Sequence, residues 1–294
     1  MKGNRLRWSW AALSLGLFAL LVAGCGKSDS GNAAGKLAFL TPWPRPQYQP
    51  GGSNALVYYV MYGRFREGAE VSAKTYRTAG FPRGVDLKYL TRTNEQDLPF
   101  VSDLLTNTVG KDNPALFAAI KAAPECLIFR GELPDPRDLN YLRDLAGLIM
   151  FSLDHGGVAV LDMPQLRIYD AAAWRKEIFA PQPPLLGQQV ALVVSDESGG
   201  TRWFHTRGLR KFGRPDLSFH KVSGTNETAV AELLKQFIIL EAQGGLISEG
   251  TQVQMAALPP GLTCHYAGKL DDPEFNNVHV EIRWPEEKSA NSAN

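Results

Sequence analysis

The stretch DPRDLNYLRDLAGLIMFSLDHGGVAVLD, residues 135–162, decides the fold class because a helix, a stop and a strand follow one another in it. Asp135 and Pro136 supply a cap and a first-turn proline. Apolar residues then recur at intervals of three and four, which predicts a helix that buries one face: they are Leu139, Leu142, Ala146, Ile149, Met150 and Leu153. Gly156 and Gly157 end this helix, and residues 158–161 predict a strand.

The same order recurs in the second half of the chain. Residues 226–243 predict a second helix that ends at Gly244 and Gly245, 88 residues after the first glycine pair. A strand-like run precedes each helix, CLIFR (126–130) in one copy and LSFHKV (217–222) in the other. This repetition is consistent with two related halves. Coincidence explains it equally well, because glycine ends many helices.

These elements predict an α+β fold with mixed or antiparallel sheets and two long amphipathic helices. A short helix is expected at 114–123, with Pro114 in its first turn. Further strands are predicted at 55–62, 85–90, 189–195, 263–266 and 278–284. The predicted N-terminal half is residues 54–180 and the C-terminal half is 188–285, with the proline-rich seam APQPPLLG between them.

The N-terminus has the charge pattern of a secretory signal. Lys2, Arg5 and Arg7 precede an apolar run over residues 8–23, which is short for a membrane span. LVAGC (21–25) resembles the bacterial lipobox, which implies a lipoprotein signal peptide over 1–24 and a lipidated, membrane-anchored Cys25. The resemblance further implies a place in the bacterial cell envelope, and Gly26 and Lys27 favour the periplasmic face of the outer membrane. The alternative is an uncleaved anchor with an incidental cysteine.

The composition limits the class of protein. The 294 residues carry a net charge of +1, and without residues 1–24 there are 28 basic and 30 acidic residues. No general positive field exists to bind nucleic acid. Three cysteines are too few for a disulfide scaffold. Cys126 and Cys264 remain beside the lipidated cysteine, and a bridge and two free thiols are both open.

Residues 25–53 predict a lipidated cysteine followed by a tether. Residues 26–36 are small and polar, which favours a flexible chain. Residues 41–52 (TPWPRPQYQPGG) contain four prolines and favour a stiff, extended spacer. At the other end of the chain, a disordered tail is predicted over residues 286–294.

Residues 201–217 (TRWFHTRGLRKFGRPDL) concentrate positive charge in an otherwise balanced chain. They predict a loop over 202–214 in which His205, Arg207, Arg210 and Arg214 bind an anionic ligand through guanidinium forks and glycine N–H groups. The alternative is a solvated loop whose arginines pair with nearby acids such as Asp216.

The C-terminal strands carry a row of titratable side chains. From residue 278 the sequence alternates, so that His279, Glu281 and Arg283 share one face. With His265 from a preceding strand, they are candidate ligand-binding residues. His265, His279 and Glu281, completed by Asp271 or Asp272, would suit a metal-assisted hydrolase. No HExxH, CxxC, GxSxG or phosphate-binding loop occurs, so we assign no catalytic residue, metal or cofactor.

Several stretches resemble an uncharacterised family of bacterial proteins: 129–150 (FRGELPDPRDLNYLRDLAGLIM), 155–179, 204–217 and 258–285. The resemblance covers residues 55–285 and implies one shared domain type, with no activity attached. We therefore expect an envelope lipoprotein that binds a protein or an anionic small molecule. The rival interpretations are the metal-assisted hydrolase and an immunity or inhibitor protein; whether the chain is an enzyme stays open, with the sequence favouring a binding protein.

The lipobox makes a direct prediction for Cys25. Bacteria expressing this chain and fed a radioactive fatty acid should label it, and Cys25→Ala should abolish the label because the acylated sulfur is gone. Cys126→Ala is the matched control and should keep the label. Label retained on the Cys25→Ala chain would exclude lipidation at this position.

Overall fold

The computed structural model describes residues 39–92, 109–272 and 274–285, so Cys25, the signal peptide and the tail lie outside the described residues. It confirms the α+β class: antiparallel and mixed sheets alternate with helices. The two sheets come from consecutive parts of the chain.

The first sheet has five antiparallel strands in the order β2-β3-β1-β4-β5. Their bounds are β1 Ala55–Gly63, β2 Val85–Thr91, β3 Glu125–Leu133, β4 Gly157–Asp162 and β5 Arg167–Tyr169. The central strand β1 is buried along nearly its whole length, because apolar side chains cover both of its faces. The predicted strand over 55–62 is confirmed.

The second sheet has six strands in the order β6-β7-β8-β11-β10-β9. Their bounds are β6 Ala191–Asp196, β7 Arg202–Arg207, β8 Asp216–Val222, β9 Gln252–Val253, β10 Leu262–Gly268 and β11 Val278–Arg283. The pairing of β8 with β11 is parallel, which makes this sheet mixed. The two sheets thus differ in strand order, and the idea of two related halves stays a prediction.

The described helices are mostly short. Their bounds are α1 Ala73–Tyr76, α2 Val109–Asp112, α3 Pro114–Ala122, α4 Asn140–Asp154, α5 Ala171–Trp174 and α6 Glu227–Ala242, with a π turn at Arg175–Phe179. Three 3-10 turns lie at Leu186–Gln189, Ser198–Gly200 and Leu209–Phe212. None of the helices in the described part of the chain is long and apolar enough to cross a bilayer.

The helix α4 differs from the one-sided helix that its periodicity predicts. All residues from Tyr141 to Leu153 are buried, including Arg143 and Asp144. Arg143 donates to the Asp144 carboxylate at 2.9 Å, and Asp144 accepts from the Ala79 backbone N–H at 2.9 Å. Buried charges are tolerated when they are paired in this way. The helix is therefore enclosed by its neighbours on every side instead of lying on the surface.

The proline-rich segment is not a free spacer, and the prediction over residues 41–52 is wrong in this respect. Trp43 and Arg45 are buried. The Arg45 guanidinium donates to the carbonyl oxygens of Pro136 at 2.7 Å, Phe212 at 2.9 Å and Glu241 at 3.2 Å. The Arg45 side chain thus links the N-terminal segment to residues from both halves of the chain.

Arg214 lies near Arg45, at the junction where the two halves of the chain meet. It donates to the Asp135 carboxylate at 2.9 Å and to the carbonyl oxygens of Gln49, Gly244 and Gly245. Although partial burial raises the pKa of Asp135, Arg214 and two backbone N–H groups lower it below its ordinary value. Since the Asp135 side chain binds this arginine and loop N–H groups, it does not cap α4. The helix begins at Asn140, whose backbone N–H donates to the Asp138 carboxylate at 2.9 Å.

Lys211 and Asp162 form a salt bridge between the two parts of the chain. Their side chains are 0% and 3% exposed. Lys211 lies in the 3-10 turn Leu209–Phe212, and Asp162 ends β4. Burial lowers the pKa of Lys211 and raises that of Asp162, and each partner's charge opposes the shift of the other. Neither charge can lose its partner without a large cost in a dry interior.

We predict that removing one partner of this salt bridge destabilises the protein much more than replacing both partners. Asp162→Asn leaves the Lys211 ammonium buried without a counter-charge and should lower the free energy of unfolding by about 3–5 kcal/mol. Lys211→Met in the Asp162→Asn background should recover much of that loss, because no unpaired charge remains. Urea denaturation of the four proteins measures both effects; equal losses in the single and double variants would contradict the assignment.

Cys126 and Cys264 are both free and buried. Burial raises the pKa of the Cys126 thiol to about 12 and that of Cys264 to about 11. We expect neither thiol to react with a disulfide reagent in the native protein, and both to react in denaturant without reductant. Thiol counting in the two conditions checks this; no titratable thiol in denaturant would mean that a disulfide bridge exists.

Candidate functional site

The cation-rich stretch is not a loop, and the prediction of a loop over 202–214 is wrong. Residues Arg202–Arg207 form β7, paired with β6 and β8 inside the second sheet, and Leu209–Phe212 form a buried 3-10 turn. Alternation along β7 places Trp203, His205 and Arg207 on one face of the sheet. The glycines that suggested a loop flank the 3-10 turn in the left-handed region, with φ of 117° at Gly208 and 64° at Gly213.

Aromatic and imidazole rings form a continuous row on this face of the sheet, which we call the histidine row. Trp203 is stacked between His205, at a centroid distance of 4.0 Å, and His220, at 4.9 Å. His205 meets the edge of Phe275 at 5.5 Å, and Phe275 stacks on His279 at 4.2 Å. Three of the five histidines therefore lie within one cluster.

The connection from β10 to β11, residues 269–277, covers the end of this row. Phe275 and Asn277 are its buried side chains. Arg207 donates to the Glu274 carbonyl oxygen, and Arg210 donates to the carbonyl oxygens of Asn276 at 2.7 Å and Leu270 at 3.3 Å. Two arginines that the sequence offers as anion ligands thus hold the backbone of this connection in place.

Buried polar atoms without hydrogen-bond partners concentrate under the connection. The described residues contain ten such side-chain atoms, and five of them belong to residues in the connection or in contact with it. These five are His205 Nδ1, Arg207 Nε, Arg210 Nε, Asn277 Oδ1 and His279 Nδ1. Four of the other five atoms belong to Trp43, Arg45 and Glu241, which lie together where Arg45 donates to the Glu241 carbonyl oxygen. Native proteins contain only a few such atoms. The group under the connection is the one that adjoins the histidine row, and we take it as the candidate site.

Burial controls the charge of the site. It lowers the pKa of His205 to about 4, assisted by the positive charge of Arg207. Burial also lowers the pKa of His279, against the opposing charge of Asp272. Both imidazoles are therefore neutral at pH 7, with one N–H donor and one acceptor nitrogen each.

Asp216 lies beneath the histidine row, fully enclosed. Burial raises its pKa to about 6, although Asn277, Thr206 and the Leu209 backbone N–H donate to its carboxylate. Its hydrogen bonds fix the 3-10 turn and the C-terminal end of the connection relative to each other. The backbone that carries Arg207 and Arg210 is therefore held in place.

The predicted ligand residues separate into three groups. His205, Arg207, Arg210 and His279 meet at the connection, as described. Arg214 lies in the junction between the halves, bonded to Asp135 and backbone carbonyls, so its assignment as a ligand residue is wrong. The remaining three residues have other partners: His265 pairs with Glu249 at 2.7 Å, and Glu281 pairs with Arg283 at 2.6 Å.

This separation removes the support for a metal centre at His265, His279 and Glu281. Within the described ranges, no group of three or more His, Cys, Asp or Glu side chains is placed to hold a metal ion. His265 lies opposite Glu281 across β10 and β11, yet its Nδ1 faces the Glu249 carboxylate, while the ring of His279 stacks on Phe275.

Sequence reasoning missed Trp203, His220, Phe275 and Asn277. The alternation over residues 202–207 carried a signal for β7, since Trp, His and Arg recur at every second position. The basic and glycine residues obscured it. No sequence signal placed Phe275 against His205, because 70 residues separate them in the chain.

The chain matches no known protein-family model, no curated protein and no solved structure. The resemblance to an uncharacterised bacterial family therefore stays a prediction, and the site's function is argued from its own geometry.

The lowered pKa of His205 predicts an acid-sensitive stability. In the unfolded chain His205 gains a proton near pH 6.5, whereas in the folded protein it gains one near pH 4. Its contribution to the free energy of unfolding is therefore fully present above pH 6.5 and is lost as the pH falls towards 4. Between pH 7 and 4.5 the loss should be about 2–3 kcal/mol. Urea unfolding of the wild type and of His205→Gln across this range isolates the effect. Asp216, whose pKa is raised, makes stability change with pH in the opposite direction, but it does so in both proteins. Parallel pH profiles would contradict it.

Proposed function

We propose that this chain is an envelope lipoprotein, anchored through Cys25 at the periplasmic face of the outer membrane, whose globular part binds a small anionic molecule. The binding site is the end of the histidine row under residues 269–277. The observation that carries the proposal is the concentration there of five buried polar atoms without hydrogen-bond partners.

Unpartnered polar atoms destabilise the free protein. Each buried group that leaves water without a new partner costs about 1–3 kcal/mol. Five such atoms at one place are difficult to explain by stability alone. A ligand that supplies their partners would recover part of this cost on binding, which favours a binding role.

The chemistry of the atoms favours an anion. Four of the five are nitrogens, and the Nε–H groups of Arg207 and Arg210 are cationic donors. Guanidinium groups bind carboxylate and phosphate oxygens through charge-assisted hydrogen bonds. The Phe275 ring beside them supplies an apolar wall for the rest of the molecule.

The two buried cysteines of the described residues do not favour a thiol-based reaction. The pKa values of Cys126 and Cys264 are raised, so neither is a thiolate at pH 7. The metal-assisted hydrolase lacks an assembled ligand set. No observation favours the immunity or inhibitor alternative; a protein captured from envelope extract independently of Arg207 would support it.

The proposal predicts anion binding that depends on Arg207. Acetate and orthophosphate, titrated onto the full chain in detergent, should move the ring resonances of His205 and His279, and the bound anion should raise the pKa of His279. Arg207→Lys keeps the charge but removes Nε, and should weaken binding about tenfold or more, since a hydrogen bond to a charged group contributes about 1.5–3 kcal/mol.

Arg202→Lys is the matched control because Arg202 begins the same strand but pairs with Asp196 and Glu227 outside the site. It should bind both anions as the wild type does. Ring resonances that neither anion moves, or equal weakening in both arginine variants, would refute the site.

A further inference from the structure

A second feature shares no residue with the histidine row: a shallow apolar groove opens beside the C-terminal end of α6. Its volume is about 460 Å³, and its ten lining residues include no charged side chain. Pro44 and Pro46 form one wall, Pro183 and Leu185 form another, and Ile239 projects from α6.

The groove is bordered by large apolar side chains that face solvent. Leu185 is 50% exposed and Ile239 is 39% exposed. Single exposed apolar residues are ordinary on protein surfaces. Two of them on the rim of one uncharged groove give it an apolar border, which suits contact with another apolar surface.

The path of the chain indicates what meets this surface. Burial of Trp43 and Arg45 fixes Pro44 and Pro46 in the wall of the groove. The described chain begins at Phe39, five residues before Pro44, so the segment that leads back to Cys25 starts close in sequence to the groove wall. Cys25 precedes Phe39 by 14 residues, a span of at most about 50 Å when fully extended. A membrane that holds Cys25 thus lies within reach of this face.

We propose that the groove is a membrane-docking face, seated on the boundary between headgroups and acyl chains of the bilayer that holds Cys25. The inference rests on the proposed lipidation. A patch of this size binds lipid weakly by itself. The tether converts docking into an intramolecular event with an effective concentration in the millimolar range, so weak contact suffices. Docking as a second contact also strengthens anchoring by acyl chains.

The test uses the full lipidated chain in vesicles of phosphatidylethanolamine and phosphatidylglycerol. Leu185→Cys accepts an environment-sensitive fluorophore selectively, because Cys126 and Cys264 are buried. Ser198→Cys is the matched control, exposed in the turn after β6. At position 185 we expect a blue shift on reconstitution, quenching by spin-labelled lipid, and little change in high salt. At position 198 we expect neither the shift nor the quenching.

A second pair of variants tests the groove itself. Ile239→Asp places a charge in the groove and should abolish the shift at position 185. Gln236→Asp adds the same charge at an exposed position on α6 outside the lining and should preserve it. Circular dichroism of both variants verifies that they are folded.

Three outcomes would overturn the inference, and they are distinguishable. Protein that floats with the vesicles while the label at position 185 stays in water excludes docking but leaves the anchor intact. A shift that requires added envelope extract assigns the groove to a protein partner. Protein that does not float with the vesicles refutes the lipidation, and the docking face with it.

Discussion

The fold depends on how three buried cations are neutralised where the two parts of the chain meet. Lys211 pairs with Asp162, Arg214 pairs with Asp135, and Arg45 is surrounded by backbone carbonyl oxygens. Each cation lies in one part of the sequence and takes at least one acceptor from another. Since a buried charge without a partner is very costly, these side chains fix the relative placement of the two sheets.

This junction also explains where the candidate site lies. The 3-10 turn Leu209–Phe212 contributes Lys211 to the junction and Arg210 to the site, so one short element serves both. Rigid packing of the turn holds Arg210 and, through Asp216, the end of the 269–277 connection. The site's arginines are thereby positioned by the protein core, while the connection they hold lies at the surface.

The sequence predicted the regular elements well where apolar residues follow a clear local pattern. The strand at β1, the helices α4 and α6, and the alternation of β11 follow from local periodicity, which the chain encodes directly. The candidate site was predicted only in part. His205, Arg207, Arg210 and His279 were identified as candidate ligand residues, but their common location depends on pairing between β7, β8 and β11, which no local pattern reveals.

What the sequence determined by itself is the α+β class, the positions of most helices and strands, and the signal that predicts lipidation at Cys25. The tertiary structure decided which charges are buried. Arg207, Arg210 and Arg214 are equivalent in the sequence, yet only the first two reach the site and the third closes the junction. The physical reason is that a cation's role depends on acceptors distant in the chain, and folding alone brings those acceptors together.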